Sequence, residues 1–315
     1  MAAPDTQSTA PAKRGRDLAV AVPTAIGLIV ALAAALAFNP WPFVGLVAVA
    51  LILALRELAQ ALAGVGLHIP YWPLLVGGVF TQVAAARTGV PGVVVGIFLT
   101  LAASVLWRVL EGDYRPASDA VEAPASGQSP AAPPVRRRRR PVAGAEGRGL
   151  TGDICAIAFA TVYLPTLAAL VVLLSFYPDG RWLVALLVAV PVASDTGGYF
   201  AGSYFGRHKL AAKISPQKTW EGLAGSIALA LVAGVGGMAL MGRPWYFGVA
   251  LAVLGALTAT LGDLAESLLK RAIGVKDMGS LLPGHGGVLD RVDSILMTAP
   301  VFYAVIALFG AEVFG

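Results

Sequence analysis

Two short stretches of the chain hold most of the side chains able to do chemistry. Residues 263–293 contain Asp263, Glu266, Ser267, Lys270 and Arg271, then Lys276 and Asp277, then Pro283-Gly284-His285-Gly286-Gly287, and finally Asp290, Arg291 and Asp293. If one helix carries the first five, they recur at i, i+3, i+4, i+7 and i+8 and share a face. Asp290 and Asp293 are again three apart and stand where another apolar run opens. Carboxylates from one helix end and the start of another make a hard-oxygen cage suited to Mg²⁺, which takes one or two carboxylates plus substrate phosphates. Asp290 and Asp293, with an acid from the preceding helix end, are the candidates, and spacing leaves one metal or two open. Lys270, Arg271, Lys276 and Arg291 supply positive charge for phosphate. Gly286 and Gly287 allow backbone N–H groups to approach an anion, with His285 as a hydrogen-bonding group in the same turn. Metal-binding acids beside phosphate-binding bases read as phosphoryl or nucleotidyl transfer at a membrane surface. The plainer alternative is a set of salt bridges between helix ends, with the glycines serving only close packing.

The second stretch, residues 195–221, opens with Asp195-Thr196-Gly197-Gly198 and continues through Arg207, His208, Lys209, Lys213, Ser215 and Lys218 to Glu221. Like the first, it sets ionisable residues and glycines against apolar helices. Charged groups at membrane depth are costly and point to function by default. His68 has no charged neighbours in the sequence, and neither Asp153 nor Cys155 sits in a motif, so all three stay unassigned.

A membrane must position these stretches. Of 315 residues, 57% are hydrophobic and 13% charged. Soluble domains carry about 25% charged residues, so this chain could not cover a water-soluble surface. Disorder and a disulfide-stapled secreted module are excluded on the same ground, the latter also by a single cysteine. The expectation is an all-α, polytopic integral membrane protein. Runs near 18–38, 43–63, 71–86, 90–107, 152–175, 182–200, 222–241, 245–261 and 294–314 are each long enough, or nearly so, to cross the hydrocarbon. Lys13, Arg14 and Arg16 precede the first run as in a signal peptide, but the run exceeds the usual 7–15 apolar residues and reads as a retained helix.

Nine crossings from a cytoplasmic N-terminus leave only Arg87, Arg181 and Arg243, of 23 basic residues, on the outer side. The expected organisation is a tail (1–17), about four N-terminal helices (18–110), a cytoplasmic linker (111–149), and a catalytic membrane domain of about five helices (150–315). Active-site loops would span 194–222 and 262–293 on the cytoplasmic face of the cell membrane. The linker is rich in Pro and Ala and carries the run Arg136–Arg140, so it reads as disordered. Its arginines set topology and lie on anionic membrane lipids.

The run Ser267-x-x-Lys270-Arg271, Lys276-Asp277, Pro283-x-His285-Gly286-Gly287, Asp290-Arg291-x-Asp293 resembles the signature of the phosphatidate cytidylyltransferase (CDP-diacylglycerol synthase) family. Upstream, Ser194-Asp195, Tyr199-Phe200, Ile214-Ser215-Pro216 and Lys218-Thr219-x-Glu221-Gly222 are also similar to that family. The likeness covers about residues 190–295. At Gln217 and Ser203 the chain lacks basic residues common in the family. The resemblance implies a Mg²⁺-dependent reaction of CTP with phosphatidate that forms CDP-diacylglycerol and pyrophosphate. Asp263, Asp290 and Asp293 are the matching acids. Lys218 is the leading phosphate contact, and Ser215, Ser267, Lys276, His285, Gly286, Gly287, Arg291 and Asp195 are candidate substrate contacts. CTP, phosphatidate and anionic lipids are the expected partners, with a second copy of the chain also carried and nucleic acid excluded.

Two other readings compete with this one. A CDP-alcohol phosphotransferase would carry an Asp-Gly-x-x-Ala-Arg run, which is absent. An ion-coupled transporter would place its acids near helix midpoints within inverted repeats, whereas here they gather at helix ends.

Overall fold

The computed structural model describes residues 14–112, 149–212, 214–275, 277–279, 281 and 286–314. The tail before Arg14, most of the linker with Arg136–Arg140, and Lys213, Lys276 and His285 lie outside the described residues.

The described residues form nine helical rods and one small hairpin. In chain order these are α1 (Arg14–Leu36), α2 (Pro40–Ala63), α3 (Tyr71–Thr88), α4 (Val90–Leu110), α5 (Gly149–Thr161) continuing into α6 (Leu167–Ser175), α7 (Gly180–Phe205), β1 (Lys209–Ala211), β2 (Ser215–Thr219), α8 (Trp220–Leu240), α9 (Trp245–Ile273) and α10 (Leu289–Phe314). The nine apolar runs expected from the sequence are these nine rods. Seven of them are long and apolar enough to cross a membrane. The exceptions are α3, 18 residues long and interrupted by Thr81, Gln82 and Arg87, and α1, whose described apolar part is Ile26–Leu36. The protein is a multi-pass, all-α membrane protein.

Between α5 and α6 lies a π-helical turn, Val162–Thr166, and Pro165 accounts for it. Proline has no N–H to give to the carbonyl four residues earlier. Thr166 Oγ1 donates to that carbonyl, Thr161 O, at 3.0 Å, so the rod bends without orphaning it. This rod is the centre of the bundle, with 72% of its apolar window buried against 22–44% for the other spans. The outer rods turn their large apolar side chains outward, with Phe98 70% and Val232 68% exposed. Such a surface is stable only in lipid.

Without a hydrophobic force between helices in lipid, close packing needs small residues. A Cβ on Gly197 of α7 would stand 2.3 Å from the Gly225 carbonyl oxygen of α8, and one on Gly234 would stand 2.4 Å from that of Gly248 in α9. These contacts bind α7, α8 and α9 into one block whose ends carry the site.

At the far end, three bases are each held. Arg243 pairs with Asp179 at 2.7 Å, Arg87 lies over the Trp41 ring, and Arg181 lies over Trp182. They are the same three that topology assigns to the outer side, and the aromatic rings fit a membrane interface.

Arg108 at the end of α4 donates through Nε to Asp153 of α5 at 2.9 Å, and both are buried. The other Asp153 oxygen accepts the His68 N–H at 2.7 Å. Asp153 therefore joins α5 to α4 and to the α2–α3 loop. Removing one member of such a pair strands a buried charge, at a cost of about 3–5 kcal/mol. Arg108→Met should lower the melting temperature of the detergent-solubilised protein by several degrees. An unchanged melt would remove this role from the pair.

Candidate active site

The helix carrying Asp263 does continue past Leu261, to Ile273, and Gly274 closes it in the left-handed conformation (φ 77°). Asp263, Glu266, Ser267 and Lys270 thereby share one face near its end. The α10 start faces them with Asp290, Arg291 and Asp293. Opposite lies the β1–β2 hairpin, paired antiparallel with Lys209 against Thr219 and Ala211 against Ser215.

Local chemistry pins the hairpin to α8. Thr219 is the N-cap, its hydroxyl accepting the Gly222 N–H at 3.0 Å. Glu221 accepts the backbone N–H groups of Arg207 and His208 and contacts His208 Nδ1 at 2.6 Å. Arg271 Nε donates to the Ile214 carbonyl at 2.9 Å and ties the end of α9 to the hairpin turn. Lys218 is therefore presented by a braced strand, and its Nζ donates to Asp263 Oδ2 at 2.5 Å.

A cavity of about 730 Å³ lies among these elements. Of the candidates from the sequence, Asp195, Ser215, Lys218, Asp263, Ser267, Lys270, Asp290 and Arg291 line it. Gln217 and Ser203 line it too, as uncharged positions. Arg271 acts instead on the hairpin backbone, and Gly286 and Gly287 lie in the turn that leads into α10.

The carboxylates divide into two groups. Asp263, Glu266 and Asp293 each offer an oxygen within 4.8 Å of the others. Glu266 and Asp293 are buried, 4% and 3% exposed, yet Glu266 Oε1 and Asp293 Oδ2 have no hydrogen-bond partner among the described residues. Buried carboxylate oxygens without donors are costly, and a cation is the kind of group that satisfies them. The three therefore fit a hard divalent cation.

Asp290 is engaged otherwise. It accepts the Met278 N–H at 3.1 Å, the Gly287 N–H at 3.0 Å and Lys270 Nζ at 3.1 Å. Lys270 also donates to Glu266 at 2.9 Å, so one ammonium bridges Asp290 and Glu266, whose carboxyl groups also approach each other. Of the three acids expected to hold a metal, Asp263 and Asp293 lie together with Glu266, while Asp290 beside them also accepts loop N–H groups. Spacing alone could not separate Glu266 from Asp290, since both lie on the same two helix ends.

One contributor comes from far away in sequence. Glu57 of α2, 2% exposed, accepts the Val288 N–H at 3.0 Å and the Leu289 N–H at 2.9 Å. It caps α10 from another helix, and the N–H groups at this helix start serve an internal carboxylate. The glycines follow from it. A Cβ on Gly279 would stand 2.3 Å, and one on Gly287 2.6 Å, from a Glu57 oxygen. An acid inside the apolar run 43–63 was the available signal for Glu57.

A sequence model described as the cytidylyltransferase family matches residues 19–309. Among curated relatives, a protein named phosphatidate cytidylyltransferase from Mycobacterium bovis is 35% identical over 96% of this chain and 92% of its own. Its namesake from Mycobacterium leprae is 37% identical over 96% of this chain and 91% of its own. One of the same name from Brucella suis is 45% identical over 135 residues, 42% of this chain and 48% of its own.

Proposed function

The chain belongs to the cytidylyltransferase family, and from that premise we propose that it joins CTP to phosphatidate, forming CDP-diacylglycerol and releasing pyrophosphate. The observation that carries this reading is the cavity itself, which has bases on its wall and donor-poor carboxylates beside it, at the ends of membrane helices.

A phosphate oxygen of phosphatidate attacks the α-phosphorus of CTP. The bond from that phosphorus to the bridging oxygen breaks, and pyrophosphate leaves with the electron pair. The attacking oxygen is already anionic, so no general base is required. Asp263, Glu266 and Asp293 would hold a divalent cation, Mg²⁺ in this reading. Bound there, it would act as a Lewis acid and offset charge on the phosphates. Lys218 and Arg291 bring positive charge to the phosphates, and the Ser215 and Ser267 hydroxyls donate to phosphate oxygens. Lys270 keeps Asp290 and Glu266 in place. These groups are positioned before substrate arrives, which lowers the cost of alignment. By the distribution of lysine and arginine, this end faces the cytoplasm of the cell membrane, where CTP is available.

Purified protein in detergent, given labelled CTP, phosphatidate and Mg²⁺, should form a lipid-soluble cytidine product. EDTA should abolish it and excess Mg²⁺ restore it. Absence of product with every phosphatidate species tried rejects the reading. Turnover without a sealed vesicle separates the enzyme from a transporter.

A further inference from the structure

A second cavity, of about 520 Å³, lies between the last turns of α2 and the start of α3 and shares no lining residue with the first. Arg56, Gln60, His68, Tyr71 and Trp72 line it. Arg56 and Gln60 are four apart and share a helix face. Arg56 stands seven residues before the end of α2, about 10 Å along the axis, and it and Gln60 are exposed.

Among the described residues no carboxylate lies within ion-pair distance of Arg56, and both acids of the neighbourhood are committed. Glu57, next in the chain, faces the other way and caps α10. Asp153, which accepts the His68 N–H, is taken by Arg108. Trp72 is 66% exposed and packs edge-on to Tyr71 at 5.4 Å, the aromatic pairing found at headgroup level. An exposed guanidinium near the end of an apolar helix, without a carboxylate partner among the described residues and with amide and aromatic neighbours around a cavity of ligand size, matches an anionic headgroup.

We propose that this cavity binds the phosphate of an anionic phospholipid of the surrounding leaflet, with Arg56 as its charge partner. The site does not rest on the reaction proposed above. Gln60 and His68 offer further hydrogen bonds to the headgroup, and Trp72 covers its glycerol side.

The test is native mass spectrometry of the full-length protein in detergent with phosphatidylglycerol or phosphatidylcholine added. Wild type should retain phosphatidylglycerol preferentially. Arg56→Gln should reduce that retention about tenfold, whereas Arg56→Lys should keep most of it. Millimolar inorganic phosphate should not displace the lipid, since the acyl chains contribute to holding it. Equal retention by Arg56→Gln, or displacement by free phosphate, overturns the proposal. Should Arg56→Gln fail to fold, Gln60→Glu places a competing carboxylate in the cavity and should lower retention to a similar extent. Cytidine transfer by Arg56→Gln at saturating substrate should stay within about twofold of wild type. Lost transfer with unchanged lipid retention would assign Arg56 to the substrate path instead.

Discussion

Asp293→Asn should lower the turnover of CTP by about 10²–10³-fold, the scale on which one preorganised electrostatic contact is lost from an active site. Asp293 is almost fully buried, and one of its oxygens has no donor among the described residues. Glu266→Gln should behave similarly, because Glu266 shares the cluster and its buried orphan oxygen. Both variants should recover part of the loss at high Mg²⁺, since weaker metal affinity is answered by concentration. Asp290→Asn should also be impaired, yet Mg²⁺ should not rescue it. Its carboxylate is spent on the Met278 and Gly287 N–H groups and on Lys270. The measurement is kcat against Mg²⁺ concentration for all three variants, with folding checked by thermal melts. Equal rescue of Asp290→Asn would return that residue to the metal set. Full activity of Asp293→Asn without added metal would remove the cluster from the reaction.

Glu57→Ala should reduce activity at least about tenfold although it touches none of the cavity. Two buried N–H groups at the start of α10 lose their acceptor, and each unsatisfied group costs about 1–3 kcal/mol. The α10 start carries Asp290, Arg291 and Asp293, so a shift there moves the site. Glu57→Gln keeps one of the two acceptors and should fall between. A sharper check uses Gly279, where the three nearest atoms that a Cβ would meet all belong to the Glu57 side chain. Gly279→Ala alone should be damaging. In the Glu57→Ala background it should cost little, because the space it needs has been vacated. Additive losses in the double variant would mean that the two residues do not meet as described.

The rods were legible because apolar run length is set by bilayer thickness, a constraint that needs no partner to be known. The i, i+3, i+4 spacing of Asp263, Glu266 and Ser267 put them on a common face, and that face lines the cavity. The use of each acid was not legible. Asp290 and Glu266 differ in which backbone N–H groups lie nearby, and this depends on a turn folding back over α10. Arg271 is a basic residue in the right place whose donor faces a carbonyl of the hairpin. Asp153 carried no motif because its partners, Arg108 and the His68 N–H, are distant in sequence. The hairpin itself is short, and its strands of 3 and 5 residues give too little alternation to be recognised.

The reach of Glu57 across the bundle also bears on biosynthesis. The helix that holds this carboxylate is made well before the helix it caps, since 231 residues separate Glu57 from Val288. Chains that insert with the second helix misplaced leave α10 without its acceptor and the acid cluster unformed. The acid cluster is then withheld until α10 has been made and seated on Glu57.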